Sequence, residues 1–324
     1  MPLRRPGAKW SRPMQRLHTG IVLQAAILLL AACSGKPAAP TLAQARPDTR
    51  VVILGTGTPN ADPQRSGPAV AVIAHGKVYV VDAGPGVVRR AAAAHDAGVA
   101  ELTMPALKLV FITHLHSDHT LGLPDLMLSP WVLDRSEPLT VYGPPGIAAM
   151  VSHLTEAYSA DIDNRLHGRE PINKTGWRTQ AVEAAPGVVY RGDGMTVSAF
   201  EVHHGDWEHA YGYTFETANR RIVISGDTVP SDEIVRQCHG CDVLVHEVYS
   251  VAGFKKRPKD WQDYHAHSHT STAQLAAIAK RAQPKLLVLY HQLYWGSTDA
   301  DLLREVRAAG YTGKVVSAHD LAVY

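Results

Sequence analysis

The sequence predicts an α/β domain of layered architecture over residues 50–324. Short β-rich apolar runs recur along the chain, helical stretches fall between some of them, and the earliest runs are clustered. Strands and helices mixed in this way bury their apolar faces by stacking in layers. The runs lie at 51–54, 70–74, 78–81, 109–113, 139–142, 197–202, 222–225, 243–246, 286–290 and 315–317. Helices are expected at 87–97, which is alanine-rich, and at 146–158, 271–282 and 299–309. The clearest is 271–282: Ser271 can cap it and Gln274 sits three residues on, the capping-box arrangement. Leu275, Ile278 and Ala279 then supply one apolar face, and Pro284 lies just past the end. Residues 159–194 are polar and turn-rich and carry no assignable periodicity.

The chain of 324 residues is 45% hydrophobic and 19% charged, an ordinary globular composition. A net charge of +2 gives no electrostatic reason to expect nucleic acid as a partner, so none is expected. Residues 1–33 read as an export signal: Arg4, Arg5, Lys9, Arg12 and Arg16 precede a short apolar run at 21–30. That run is shorter than the about 20 residues a membrane span needs. Leu30-Ala31-Ala32-Cys33 resembles the lipobox of bacterial lipoproteins, whose cysteine becomes an acylated N-terminus; a plain cleaved signal is the alternative. The expected location is therefore the periplasm, with a lipid on Cys33 anchoring the chain, and Ser34 favours the outer membrane. Residues 34–49, rich in Pro and Ala, read as a tether. Cys238 and Cys241 remain in Cys-His-Gly-Cys; a local disulfide suits an exported chain, and Asp242 after the second Cys excludes the haem-attachment pattern. The pair is assigned no function.

The chemistry concentrates at 109–119, Leu-Val-Phe-Ile-Thr-His-Leu-His-Ser-Asp-His. An apolar strand delivers His114, His116, Asp118 and His119 within six positions. Burying such groups unpaired costs roughly 2–7 kcal/mol each, and imidazole and carboxylate are the usual ligands of catalytic zinc. The stretch therefore reads as a metal site, with a solvated His-rich turn as the bland alternative. His203-His204, Asp227, His246-Glu247 and His291 each follow an apolar run as well. Ligands at the C-terminal ends of strands converge on one edge of a sheet. A lone His there is unremarkable, but five such placements in one chain are hard to dismiss. Gly55-Thr56-Gly57 and Gly84-Pro85-Gly86 match no dinucleotide or P-loop motif and read as tight turns.

His114-Leu115-His116-Ser117-Asp118-His119 resembles the HxHxDH signature of the metallo-β-lactamase fold. Leu54-Gly55-Thr56-Gly57-Thr58-Pro59, Val81-Asp82-Ala83-Gly84-Pro85-Gly86, Ser225-Gly226-Asp227-Thr228, His246-Glu247 and Leu289-Tyr290-His291 are similar to later elements of one branch of it. That branch holds tRNA 3′-processing nucleases, arylsulfatase-like enzymes and cyclic-nucleotide phosphodiesterases. The resemblance implies a four-layer αββα sandwich and two Zn2+ ions per chain, with Mn2+ or Fe as substitutes. It implies that His114, His116 and His204 hold one ion, that Asp118, His119 and His291 hold the other, and that Asp227 bridges them. His204 is preferred to His203 by the spacing to Gly212-Tyr213. It further implies a catalytic His near 265–269; His269 is the candidate proton donor, Glu247 its orienting partner, and His265 and His267 stay open as alternatives. Glu247 as a partner that fixes a ligand tautomer is the other reading.

The leading expectation is a zinc-dependent hydrolase that turns a metal-bridged hydroxide on a phosphodiester or sulfate ester, with Asp118 among its catalytic residues. Expected partners are a small-molecule ester, the membrane through Cys33, and a second copy of the chain as a homodimer. The alternatives are a tRNA 3′-processing endoribonuclease, against which location and charge argue, a lactonase, and a non-catalytic zinc-binding lipoprotein. Tyr211, Tyr213, Trp207, Trp261, Tyr264 and Trp295 lie near the site motifs and are candidates either for an aromatic pocket or for the core.

Overall fold

The computed structural model describes residues 48–324; the export signal, Cys33 and nearly all of the tether lie outside the described residues. Among the described residues, thirteen strands form two sheets. The first, in the order β1 to β6, contains Thr49–Gly55, Ala69–Ala74, Lys77–Val81, Leu109–Phe111, Leu139–Gly143 and Thr179–Glu183. Thr49, read as the end of the tether, is thus the first residue of β1. The second sheet runs β13 to β7 and contains, in chain order from β7, Gly187–Gly192, Met195–Val202, Ala210–Glu216, Arg221–Ile224, Val243–Tyr249, Leu287–Leu293 and Val315–Ser317. Each sheet is antiparallel at one end and parallel at the other.

Strand side chains alternate between faces, and here both faces are buried. In β1, Val52 and Leu54 join an outer core while Val51 and Ile53 point between the sheets. In β11, Val243 and Val245 face the other sheet while Leu244 and Val248 face helices. Three apolar layers result: sheet one against helices, sheet against sheet, and sheet two against helices. This is the αββα sandwich. The helices are α1 Val87–Asp96, α2 Ser117–Thr120, α3 Leu123–Val132, α4 Ile147–Ala157, α5 Ser159–His167, α6 Asp232–Cys238, α7 Val251–Phe254, α8 Lys259–Ser268, α9 Thr272–Ala282 and α10 Asp299–Ala308. The capping box of α9 is present, with Ser271 and Gln274 bonded reciprocally. The chain's last residues pair with β1, Val51 and Ile53 donating to Tyr324 and Ala322 carbonyls at 2.9 Å, so that edge is covered. Cys238 and Cys241 form a disulfide at the end of α6.

Two strands run three residues past the points where the sequence reading ends them. β11 continues through His246-Glu247 to Tyr249, and β12 through His291 to Leu293. Apolar character ends earlier than the strands because the site residues belong to the strands themselves. The β11–β12 ladder passes from Glu247↔Tyr290 to Val248↔Gln292, leaving His291 as the extra residue of a β-bulge with φ +44. A bulge re-aims a side chain: Tyr290 packs between the sheets while His291 turns to the site. Within 159–194 the structure places α5, β6 and β7.

Candidate metal centre

All seven expected ligands converge. Donor atoms of His114, His116 and His204 lie within 4.8 Å of one another, as do those of Asp118, His119 and His291, and those of His114, His119 and Asp227. Asp227 Oδ2 sits in the middle, 3.4 Å from His119 Nε2, 3.5 Å from His291 Nε2 and 4.0 Å from His204 Nε2. His204, not the exposed His203, turns inward, with Nε2 3.0 Å from His116 Nδ1. Of the three later histidines, His269 reaches the cluster and is buried; His265 is buried against Trp295 and Trp261, and His267 is exposed. Glu247, His269 and His291 make a further trio within donor range.

Hydrogen bonds outside the cluster fix which ring nitrogens face inward. A carbonyl oxygen only accepts, so His204 Nδ1 donates to Ser268 O at 2.7 Å and leaves Nε2 with a lone pair. Thr113 Oγ1 lies 3.0 Å from both Asp82 carboxylate oxygens and donates there. His114 Nδ1, 3.0 Å from the same hydroxyl, must then be the donor, and its Nε2 is also a lone pair. Both Nε2 atoms point at His116 Nδ1, each at 3.0 Å. Only His116 Nδ1 can carry a hydrogen there, one hydrogen to serve two lone pairs, whereas a cation among the three nitrogens would satisfy all of them. His119 Nδ1 donates to Asp82 Oδ2 at 2.8 Å, and its buried Nε2 has no hydrogen-bond partner; Asp227 Oδ1 is likewise unpartnered. Such orphaned buried atoms carry a desolvation cost that metal coordination removes. The donor set, imidazole and carboxylate without thiolate, fits a divalent metal, and zinc is its common occupant.

Charge in the cluster is strongly coupled. Burial pushes the Asp227 carboxyl up, but His291 and His119 outweigh it and hold the group well below the usual range. Burial depresses the His119 imidazole, yet Asp227, Asp82 and Asp118 together raise it well above the ordinary value. Burial lowers His116, His204 and His269, each to about 4. Burial and the nearby Asp227 push the Glu247 carboxyl well upward. Glu247 Oε1 accepts from the backbone N–H of Thr270 at 2.8 Å and lies 3.4 Å from His269 Nδ1.

Backbone approach holds the loops in place. A Cβ on Gly84 would fall 2.7 Å from Asp118 O and 2.4 Å from the Gly67 carbonyl carbon, so only glycine lets this turn press on the ligand loop. Gly226 has φ +62, and a Cβ there would meet Tyr211 O at 2.6 Å. Asp82 and Thr113 are the supporting residues the sequence reading did not assign. Their signal was position: Asp82 follows β3 and Thr113 follows β4, the strands that border the ligand loop. Of the aromatic candidates, Tyr211 and Tyr213 belong to the inter-sheet core. Trp261, Tyr264 and Trp295 line a cavity of ≈ 610 Å³ over Asp118, Asp227 and His291. Trp207 packs edge-on to His116, ring centres 5.1 Å apart.

A Beta-lactamase superfamily domain model matches residues 77–292. Ribonuclease Z of Mycobacterium bovis is 33% identical over 279 residues, 84% of this chain and 96% of that protein. Ribonuclease Z of Mycobacterium marinum matches over the same span with 33% identity. Among solved structures, the short form of human tRNase Z superposes with a TM-score of 0.63 at 24% identity, covering 85% of this chain and 98% of that one. The metallo-β-lactamase fold protein YhfI from Bacillus subtilis gives 0.65 at 17%, again over 85% of this chain and 98% of that one. These relatives overturn the expectation that nucleic acid has no part. Net charge was the wrong measure, because it counts side chains only and leaves out the charge that a divalent cation on these donors would add. The chain belongs to the β-lactamase superfamily, has the metallo-β-lactamase fold, and is a homologue of ribonuclease Z.

Proposed function

We propose that the chain is a divalent-metal-dependent phosphodiesterase whose substrate class is RNA, with cleavage at the 3′ side of a tRNA-like molecule as its activity. The observation that carries this reading is the convergence of two donor sets on Asp227, in a chain whose ribonuclease Z relative aligns over 96% of its own length. The sequence-based preference for a small phosphodiester or sulfate ester thus gives way to its alternative. His114, His116 and His204 would hold one zinc and Asp118, His119 and His291 a second, with Asp227 between them; Mn2+ or Fe suits the same donors. When bound, such a pair acidifies water and neutralises charge on a phosphorus in substitution. Asp82 keeps His119 in the tautomer that presents Nε2, and Ser268 O does the same for His204. His269 lines the cavity with Nδ1 3.4 Å from Glu247 Oε1 and 3.9 Å from Asp227 Oδ2; there it would protonate the departing oxygen, with Glu247 orienting it.

The leader supports a second reading of substrate size. Export and lipid anchoring at Cys33 would limit the enzyme to phosphodiesters found outside the cytoplasm, and the cavity admits a small aryl ester. Metal-loaded chain assayed on a tRNA with a 3′ trailer, bis(4-nitrophenyl) phosphate and 4-nitrophenyl sulfate separates these. Specific trailer removal supports the RNA reading; turnover of the small diester alone supports the second; sulfate ester turnover alone contradicts both. Membrane fractionation of the wild type against Cys33→Ser tests the location.

A further inference from the structure

We propose that Arg257, Trp261 and Trp295 form a recognition subsite for a planar aromatic ring carried beside the scissile phosphodiester. The inference rests on the phosphodiesterase reading and names what that site recognises. The shared chemistry is an aromatic face next to a phosphate: a nucleobase in RNA or the aryl group of a small diester.

All three residues line the same cavity as Asp118, Asp227 and His291. They come from two segments, the stretch after β11 that leads into α8 and the turn after β12. The Arg257 guanidinium carbon lies 5.3 Å from the Trp261 ring centre and 5.6 Å from that of Trp295, within cation–π range of both. Arg257 Nε is buried without a hydrogen-bond partner, and among the described residues the guanidinium makes no ion pair. A cation held by two indole faces and lacking a carboxylate is set to receive an anionic oxygen. Trp261 stays 49% exposed and Tyr264 43%, although each is large and apolar. Trp295 has φ +45, a left-handed conformation unusual for a bulky residue. Trp261 and Tyr264 thus keep part of their rings open to solvent beside the strained Trp295, while His265 stacks on Trp261 with ring centres 5.5 Å apart.

The subsite adjoins the reacting centre. His265 lies 4.4 Å from Trp295 and 5.6 Å from His269, ring centre to ring centre, so the wall reaches His269 through one intervening imidazole. A ring stacked on the wall would hold its phosphate in the cavity that Arg257 shares with Asp118, Asp227 and His291.

Two measurements on the full chain test this. The first is binding by calorimetry of adenosine 5′-monophosphate against ribose 5-phosphate, with and without added metal. Wild type and Trp261→Phe are expected to prefer the nucleotide by about 5- to 150-fold, the range of one base stacking on an aromatic side chain. Trp261→Ala with Arg257→Met is expected to lose the preference. The second is the kcat/KM ratio for RNA bearing a base or an abasic residue beside the scissile phosphate, alongside the ratio for bis(4-nitrophenyl) against methyl 4-nitrophenyl phosphate. The RNA arm responds if the natural ring is a nucleobase, the diester arm alone if it is a small aryl group. Equal binding of the two phosphates by wild type would overturn the subsite. Nucleotide preference without hydrolysis of any diester would instead overturn the phosphodiesterase reading and leave the subsite standing; hydrolysis with no dependence on the ring would do the reverse.

Discussion

Two walls meet at one cavity, and they are built by opposite rules. The donor wall sits on strand ends, turns and the short α2, is buried except for the half-buried His116, and has its ring nitrogens aimed by fixed partners: Asp82 for His119, Thr113 for His114, Ser268 for His204. The aromatic wall sits on α8 and a loop, leaves Trp261 and Tyr264 open, and carries a strained Trp295. Rigid strand ends hold a catalytic constellation in place with little loss of entropy. A helix and a loop on the surface can vary without disturbing it. The difference teaches that, on the proposed reading, chemistry and recognition are separable, and substitutions in the two walls should fail in different ways.

The largest effect is expected from Asp227→Ala. It removes the carboxylate nearest to both donor sets, and hydrolysis should fall on the order of 10³-fold or more, since several kcal/mol of charge stabilisation go with the ions. Metal content measured alongside should fall too. His269→Ala should lower kcat on the order of 10²-fold while metal content stays at the wild-type value; loss of metal would make His269 a ligand instead. Asp82→Asn should weaken metal affinity by roughly 10- to 100-fold, read by competition with a chelator, because His119 loses the anion that orients it. Trp261→Ala should shift stability to denaturant by no more than about 0.5 kcal/mol, the usual range for a half-open surface residue. A shift several times larger would mean that the aromatic wall is core, and the contrast would dissolve.

The sandwich was legible because most strands are apolar runs bounded by turn residues, and because α9 announces itself with Ser271 and Gln274. What escaped is informative. β6, Thr179–Glu183, is an edge strand with half-open side chains, and α8, Lys259–Ser268, is polar nearly all round. Neither has an apolar periodicity to read, because long-range packing rather than local pattern sets them. The seven candidate donors are legible in sequence through the resemblance of 114–119 and the later motifs to a known ligand set, and through their places after apolar runs. Asp82 and Thr113 could not, since their partners lie about 30 residues away in sequence and only the β3–β4 pairing brings them together. The split of the aromatics into core Tyr211 and Tyr213 and cavity Trp261, Tyr264 and Trp295 likewise depends on which sheet face each one meets.

The most direct test is elemental analysis of the purified chain after loading with zinc, manganese or iron and removal of free ion, wild type beside Asp227→Ala. The account predicts two ions per wild-type chain and a clear loss in the variant, with a chelator lowering the melting temperature of the wild type only. A wild-type chain that retains no metal, or a variant that retains two ions, would contradict it.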